Sequence, residues 1–296
     1  MKNKLSAIGY ALAAAAFYAL NVPCSKLLLD RIPPTFMAAL LYLGAGLGVG
    51  LMSLLRRGKE KPQERLTRED LPFTLGMILL DIIAPILLMI GVAHSSSSSA
   101  SLLGNFEIAA TAVIALVLFK EKVSGRLWAG ILLITLSSMV LTFDGGGERT
   151  LSVGSLFVLG AAGCWGLENN CTRRISGKST YQIVTVKGIF SGSGSLVTAL
   201  VLGEKLPPLR LIPAALALGF VAYGLSIFTY IRAQKDLGAA KTSALYAAAP
   251  FIGAFLSFLL LREELSHAYL YGLGIMIAGT AFVTADALRS SSEGRN

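Results

Sequence analysis

The chain has 296 residues, of which 54% are hydrophobic and 15% are charged, and its mean hydropathy is +0.67. Soluble domains carry about 25% charged residues, so this composition excludes an ordinary soluble enzyme and indicates an integral membrane protein. The formal net charge is +9, but the basic residues fall between apolar segments. That distribution is typical of membrane topology and argues against a nucleic-acid partner.

Windows of about 20 apolar residues predict ten transmembrane helices. The longest polar connection, residues 56–70, is too small to fold as a soluble domain. The predicted fold class is therefore an all-α polytopic membrane protein. In chain order, the predicted spans cover approximately residues 5–28, 34–55, 71–93, 98–119, 125–143, 151–173, 181–202, 211–233, 238–261 and 267–288.

The basic residues also predict the orientation of the spans. With a cytoplasmic N-terminus, the 26 Lys and Arg residues divide into 19 at inner ends, 5 at outer ends and 2 within spans, which are Lys26 and Lys187. Positive charge accumulates on the cytoplasmic side of membrane proteins. We therefore predict a multi-pass protein of the cell (inner) membrane with both termini in the cytoplasm.

The chain contains two copies of one pattern. KEKVS at 120–124 follows the fourth span and REELS at 262–266 follows the ninth, which aligns Ser124 with Ser266. The first span contains YALN at 18–21 and the sixth contains WGLE at 165–168, which aligns Asn21 with Glu168. The spacing of these copies predicts two repeats of five spans each, covering residues 1–146 and 151–289.

Because each repeat has an odd number of spans, the second must enter the membrane from the opposite side. Many secondary transporters place one central site between such inverted repeats. The alternative is a duplication that built only a stable bundle, which would serve as a scaffold or sensor without transport.

The ten spans, the repeats and the Glu-x-hydrophobic-Ser signature at Glu121–Ser124 and Glu263–Ser266 resemble the drug/metabolite transporter superfamily, in its EamA-type branch. The resemblance implies a secondary transporter, often an exporter of amino acids and other small metabolites, with a cavity between the halves. It does not imply one substrate. The chain departs from the pattern in the fourth span, where Ile108, preceded by Glu107, stands at the position of Pro250 in the ninth.

Four charged residues lie deep within predicted spans. A charge at the bilayer centre costs at least ~2.5–3.5 kcal/mol, so such residues mark solute or proton paths. At about 1.5 Å per residue, Asp81 lies ~15 Å from the inner face and Glu107 ~12 Å from the outer face. We predict that these two carboxyl groups form a site that couples protons or binds substrate. The alternative is a permanently protonated acid that is hydrogen-bonded to a neighbour such as Asn105.

Glu168 and Lys187 lie on consecutive antiparallel spans, each ~9 Å from the inner face. Opposite charges at one depth predict an ion pair, which would either hold the two helices together or act as an inner gate. Other polar and aromatic residues in the spans are candidates to line the cavity. These are Tyr18, Asn21, Asn105, Trp165, Asn169, Tyr223 and Tyr246.

The predicted function is secondary active transport by alternating access, most consistent with an exporter of an amino acid, an amine or a drug-like cation. A proton-coupled importer would use the same parts. The sequence contains no His-Glu-x-x-His motif, no Gly-x-Ser-x-Gly motif and no Cys/His cluster, so we predict no catalytic residues, no cofactor and no metal. The expected partners are a small solute, protons and the lipid bilayer, and the sequence predicts no oligomeric state.

Overall fold

The structure is a computed structural model, and all regular secondary structure in its described part is helical. Ten helical segments, α1 to α10, follow one another in chain order through that part. The described residues are 2–55, 64–95, 100, 103–104, 106–121, 123–143, 153–261 and 267–289.

The first repeat contains α1 to α5 and the second contains α6 to α10. α1 consists of Lys2–Tyr18 and Asn21–Leu29; α2 is Pro34–Leu55, α3 is Leu71–Ala93, α4 is Phe106–Val117 and α5 is Gly125–Phe143. α6 is Val153–Ile175, α7 is Thr180–Val201, and α8 runs through Ile212–Leu218, Gly219–Leu225 and Ser226–Leu237. α9 consists of Ala239–Tyr246 and Ala248–Leu261, and α10 is His267–Arg289.

Six of these segments are long and apolar enough to cross a membrane by length and composition. They are α1, α2, α3, α7, α8 and α9. α4, α5 and α10 contain shorter apolar helices. α6 has a lower hydropathy because its second half contains Glu168, Asn169, Asn170 and Thr172, all buried. A membrane helix with this many polar groups must turn them toward protein or a cavity.

Three segments are irregular where the central site lies. α1 breaks after Tyr18, and the ring of Pro23 excludes a helical hydrogen bond to the carbonyl of Ala19 at this break. α9 breaks at Ala247, shortly before Pro250. The middle of α8, Gly219–Leu225, is a π-helix, a distortion that is common at functional sites.

The helix contacts follow an inverted two-fold arrangement. α2 packs against α7, α4 against α9 and α5 against α10, so each of these helices meets its own counterpart. The remaining main contacts exchange in pairs: α3 with α6 corresponds to α8 with α1, and α2 with α8 corresponds to α7 with α3. The fold is therefore two inverted five-helix repeats, as the sequence predicted.

Individual residues at the α5 and α10 contact obey the same symmetry. Gly130 lies against the backbone carbonyl of Gly279, and Ser137 Oγ donates to the carbonyl of Gly272 at 2.6 Å. The alignment that pairs the two copies of the repeated signature also pairs Gly130 with Gly272 and Ser137 with Gly279. The two contacts are therefore equivalent under the symmetry that relates the two repeats.

Glycine permits a close approach of the α2 and α7 backbones. A Cβ added to Gly188 would lie 2.3 Å from the backbone nitrogen of Gly46, and one added to Gly46 would lie 2.6 Å from that of Ile189. Small residues allow membrane helices to pack backbone to backbone. This contact holds α7, and therefore Lys187, firmly against α2.

We expect Gly188→Ala to destabilise the protein by about 1–3 kcal/mol, since the new methyl group would overlap the backbone of α2. Gly163→Ala is the matched control, because a Cβ at Gly163 meets nothing within 4 Å. Thermal unfolding monitored by size-exclusion chromatography should show a lower midpoint for Gly188→Ala alone. Equal midpoints for the two variants would contradict the close contact.

The orientation predicted from charge can be tested by labelling. In a variant whose three native cysteines are replaced by serine, Lys205→Cys should react with a membrane-impermeant maleimide on intact cells, because residue 205 lies in an exposed connection on the predicted outer side. Glu69→Cys, exposed at the predicted inner side, should react only after lysis. The reverse pattern would place both termini outside.

Candidate functional site

Two adjacent cavities lie between the repeats. The first contains about 480 Å³ of space not occupied by protein atoms and the second about 460 Å³, and both volumes include space that is open to solvent. Glu107, Tyr18, Trp165 and Tyr246 line both. We name these four residues the junction. The first cavity is also lined by Glu168, Thr172 and Lys187, which lie toward the predicted inner side, so we call it the inner chamber; the other we call the outer chamber.

A buried ammonium group joins three helices beside the inner chamber. Lys187 Nζ on α7 lies 2.8 Å from Glu168 Oε1 on α6 and 3.0 Å from Asp81 Oδ2 on α3. The exposed fractions of these side chains are 5%, 2% and 0%. We name the three residues the charge triad. It carries one positive charge against two negative charges when all three groups are ionised.

Asp81 has two further hydrogen-bond donors. Tyr42 Oη donates to Asp81 Oδ1 at 2.6 Å, and Trp165 Nε1 donates to the same oxygen at 3.2 Å. Glu168 accepts a hydrogen bond from Thr172, one turn along α6. Hydrogen bonds to ionised groups are stronger than neutral ones. The carboxylates of the triad are therefore held by donors from α2, α6 and α7.

Glu107 has a different environment. It lies at the second residue of α4, where its Oε1 accepts a hydrogen bond of 2.6 Å from Asn169 Nδ2 on α6. No Lys or Arg of the described residues lies within ion-pair distance of it. Asn169 is itself positioned by Gln234 Nε2, which donates to the backbone carbonyl oxygen of Asn169 at 3.1 Å. Glu107 therefore presents a carboxyl group to both chambers.

Neutral residues occupy the equivalent place in the other repeat. Glu168 corresponds to Asn21, whose Nδ2 donates to Tyr223 Oη at 3.3 Å. The alignment of the repeated signature pairs Tyr223 with Asp81, and Tyr223 lies in the π-helical turn of α8. Its ring meets that of Tyr42, with centroids 5.0 Å apart. The scaffold is symmetric, but the charged groups lie on one side of the axis.

Aromatic rings surround the junction. Tyr18 is at their centre, with its ring centroid 6.4 Å from that of Trp165, 5.7 Å from that of Tyr223 and 5.4 Å from that of Tyr246. Tyr230 extends the cluster, with its ring centroid 5.0 Å from that of Tyr246. Tyr18 and Trp165 are repeat counterparts, so the first residues of the YALN and WGLE patterns meet near the two-fold axis.

The contacts in the structure group the charged residues differently from the grouping that their depths predicted. The structure adds Asp81 to the predicted pair of Glu168 and Lys187, because Asp81 Oδ2 lies 3.0 Å from Lys187 Nζ and completes the charge triad. A proton-coupling or substrate-binding role for Asp81 and Glu107 stays a prediction. Depth gives the level of a residue but not the direction its side chain takes around the helix, and that direction turns Asp81 toward α7. Asn105 lies outside the described residues.

The remaining predicted residues meet at one place. Tyr18, Trp165, Asn169, Tyr223 and Tyr246 line the inner chamber, and Asn21 lies directly behind Tyr223. Sequence reasoning missed several lining residues, which are Tyr42, Thr172, Ser226 and Tyr230. Their only signal was a hydroxyl group within an apolar span, which many packing residues share.

The first copy of the repeated signature contacts helix ends on the predicted inner side. Glu121 Oε1 lies 3.3 Å from the amide nitrogen of Ala239, which donates to it where α9 begins, and 3.8 Å from Nε of Arg173. Ser124 donates to Asp286, which also pairs with Lys241 at 2.9 Å. The signature therefore stabilises helix ends. Because its described residues do not line the cavities, it is informative about the fold and uninformative about the solute. Its second copy, 262–266, lies outside the described residues.

Comparison with protein families agrees with this architecture. A model of the EamA-like transporter family matches the chain twice, over residues 5–143 and 152–285. The chain belongs to the EamA-like transporter family.

Curated relatives of this EamA family protein carry transporter names. An uncharacterized transporter of Methanothermobacter thermautotrophicus is 26% identical over 275 residues, which cover 86% of this chain and 79% of that protein. The uncharacterized transporter YyaM of Bacillus subtilis is 25% identical over 181 residues, covering 58% and 59% of the two chains. Together with the family match, these names identify a multi-pass membrane transporter and leave its solute open.

A solved crystal structure has the same fold. It superposes with a TM-score of 0.79 at 19% identity, and the match covers 96% of this chain and 97% of the other. At this identity the likeness shows the fold alone.

We expect Lys187→Ala to destabilise the protein by about 3–5 kcal/mol, because it leaves two buried carboxylates without their cation. The triple variant Asp81→Asn, Glu168→Gln, Lys187→Met should recover most of that loss. Lys178→Ala is the matched control; it removes the more exposed ion pair with Asp70 and should cost less than about 1 kcal/mol. Thermal unfolding in detergent measures all three, and equal losses for Lys187→Ala and Lys178→Ala would contradict the role of the triad.

Proposed function

We propose that this EamA family protein is a secondary active transporter that exports a small metabolite by alternating access. The solute class is an amino acid, an amine or a drug-like cation, and protons move in the opposite direction. The observation that carries this proposal is a carboxyl-lined, aromatic cavity at the axis between two inverted repeats, since such repeats allow one central site to face either side of the membrane.

The charge balance of the site supports exchange of cations. Asp81, Glu107 and Glu168 contribute three negative charges when ionised, and Lys187 contributes one positive charge, which leaves a net charge of −2. Each uncompensated charge inside a membrane costs at least ~2.5–3.5 kcal/mol. Two positive charges from outside the chain, either protons or a cationic solute, would remove this cost. Protons and the solute would then compete for one site.

Within the proposal, the two carboxyl groups outside the direct α6–α7 ion pair have separate roles. Glu107 binds the solute or a proton, since it faces both chambers. Asp81 lies behind the chamber wall, where it shares Lys187 with Glu168. The Lys187–Glu168 contact would open or close as the charge on Asp81 changes, which is how a structural ion pair becomes a gate. The exchange of a proton for a solute at Glu107 would thereby change the contacts between α3, α6 and α7.

The junction supports an alternating mechanism. Tyr18, Trp165 and Tyr246 separate the outer and inner chambers, and two of them lie near helix breaks, at the end of the first half of α1 and of α9. Small rotations of the half-helices would close one chamber and open the other without moving Glu107. The proposed location is the cell (inner) membrane, with the inner chamber facing the cytoplasm.

We expect Glu107→Gln to abolish proton-driven transport. Proteoliposomes with an acidic lumen, containing the wild type, should accumulate a labelled cationic amine faster than protein-free liposomes, as protons leave at a rate set by the pH gradient. Glu107→Gln should be at least about tenfold slower and independent of pH, because it can neither release a proton nor pair with a cation. Glu69→Gln, which changes an exposed carboxylate outside the cavity, should match the wild type.

Two outcomes would contradict the proposal. The first is pH-dependent transport by Glu107→Gln at the wild-type rate. The second is wild-type protein that moves no member of a panel of labelled amines, amino acids and cations under either orientation of the gradient, which would favour the scaffold alternative.

A further inference from the structure

We infer that the site selects a monovalent organic ammonium ion with an apolar substituent and rejects the zwitterion of a free amino acid. This inference rests on the proposed function, since it names the solute class of the same cavity. It follows from the different surroundings of two charged groups, the Glu107 carboxyl group at the junction and the Lys187 ammonium group in the lining of the inner chamber.

The junction has the composition of an ammonium-binding site. Glu107 supplies a carboxyl group that pairs with no cation of the described residues, and three of the residues around it are aromatic: Tyr18, Trp165 and Tyr246. Aromatic rings attract cations through the negative potential of their faces, and ammonium ions are bound in this way in aromatic sites. A carboxyl group among rings therefore favours a positively charged solute group at this point.

The outer chamber suits an apolar substituent. Apart from the junction, its described lining residues are apolar or small, and none of them is charged. The apolar lining consists of Val22, Leu88, Ala100, Ile108, Val158, Ala247 and Ala249. An ammonium ion at Glu107 would place its hydrocarbon part here.

A carboxylate on the solute would find no free cation. Lys187 is the only Lys or Arg among the described residues that line the two chambers. Its ammonium group already contacts both Asp81 and Glu168 within 3.0 Å. The charge triad has a net charge of −1, so an approaching carboxylate would be repelled or would have to displace one of them. The same geometry that stabilises Lys187 therefore excludes zwitterions.

Matched probes can test this selectivity by binding alone. Isothermal titration calorimetry on the purified full chain would compare L-phenylalanine with L-phenylalanine methyl ester, which differ in whether the carboxylate is blocked. 2-Phenylethylammonium, which has no carboxyl group, is the third probe. We expect both cations to bind and L-phenylalanine to bind more weakly by on the order of 100-fold.

Two variants assign the selectivity to its residues. Glu107→Gln should lose binding of the methyl ester, while Glu69→Gln should retain it. Asp81→Asn leaves Lys187 with one carboxylate partner and makes the triad neutral, so the preference for the ester over L-phenylalanine should fall by at least about tenfold. Elution as a single symmetrical peak would show that each variant is folded.

The inference is overturned if L-phenylalanine binds as tightly as its methyl ester, if neither cation binds, or if Glu107→Gln binds the ester like the wild type. Its failure differs from failure of the proposed function. Transport of L-phenylalanine but not of the ester in proteoliposomes would refute the selectivity and support a transporter. Tight binding of the ester without any transport would support the selectivity and refute the transporter.

Discussion

The arrangement of the centre depends on one ammonium group held between two carboxylates in the membrane interior. Lys187 joins α7 to α3 through Asp81 and to α6 through Glu168, and these helices belong to both repeats. Removing one partner of a buried ion pair is far more costly than replacing the whole pair with apolar groups. The triad is therefore a structural constraint that is also sensitive to any change of charge beside it. Exchange of cations at Glu107 would change the charge beside the triad and therefore the stability of its ion pairs.

The symmetry of the scaffold and the asymmetry of its chemistry have separate causes. Helix contacts such as Gly130 with Gly279 and Ser137 with Gly272 require small residues in both repeats, so duplication preserves them. The polar centre has no such requirement. One side of the axis holds Asp81, Glu168 and Lys187, while Tyr223 and Asn21 occupy the positions that correspond to Asp81 and Glu168 in the other repeat. The charge distribution, rather than the fold, is the part of this family member that can specify a solute.

Much of the architecture could be predicted from the sequence because lipid imposes simple rules. A hydrocarbon core of about 30 Å sets the length of each span, and unpaired backbone groups force each span to be helical. The repeated signature at 120–124 and 262–266 then predicted two inverted repeats, which the helix contacts and the double family match confirm. The signature was less informative about function, since Glu121 caps the start of α9 rather than lining the cavity.

The candidate site could be predicted only in part. Inspection of the sequence is enough to identify residues that are too polar to face lipid, among them Asp81, Glu107, Glu168 and Lys187, because the cost of burying a charge in lipid does not depend on the fold. It also gives their approximate depths, because the rise of a helix per residue is constant. The packed helices were needed to show that Asp81 pairs with Lys187 of the other repeat and that Glu107 accepts a hydrogen bond from Asn169. The physical reason is that partners in a bundle are chosen by the direction of each side chain around its helix and by close packing between distant helices, and local sequence encodes neither.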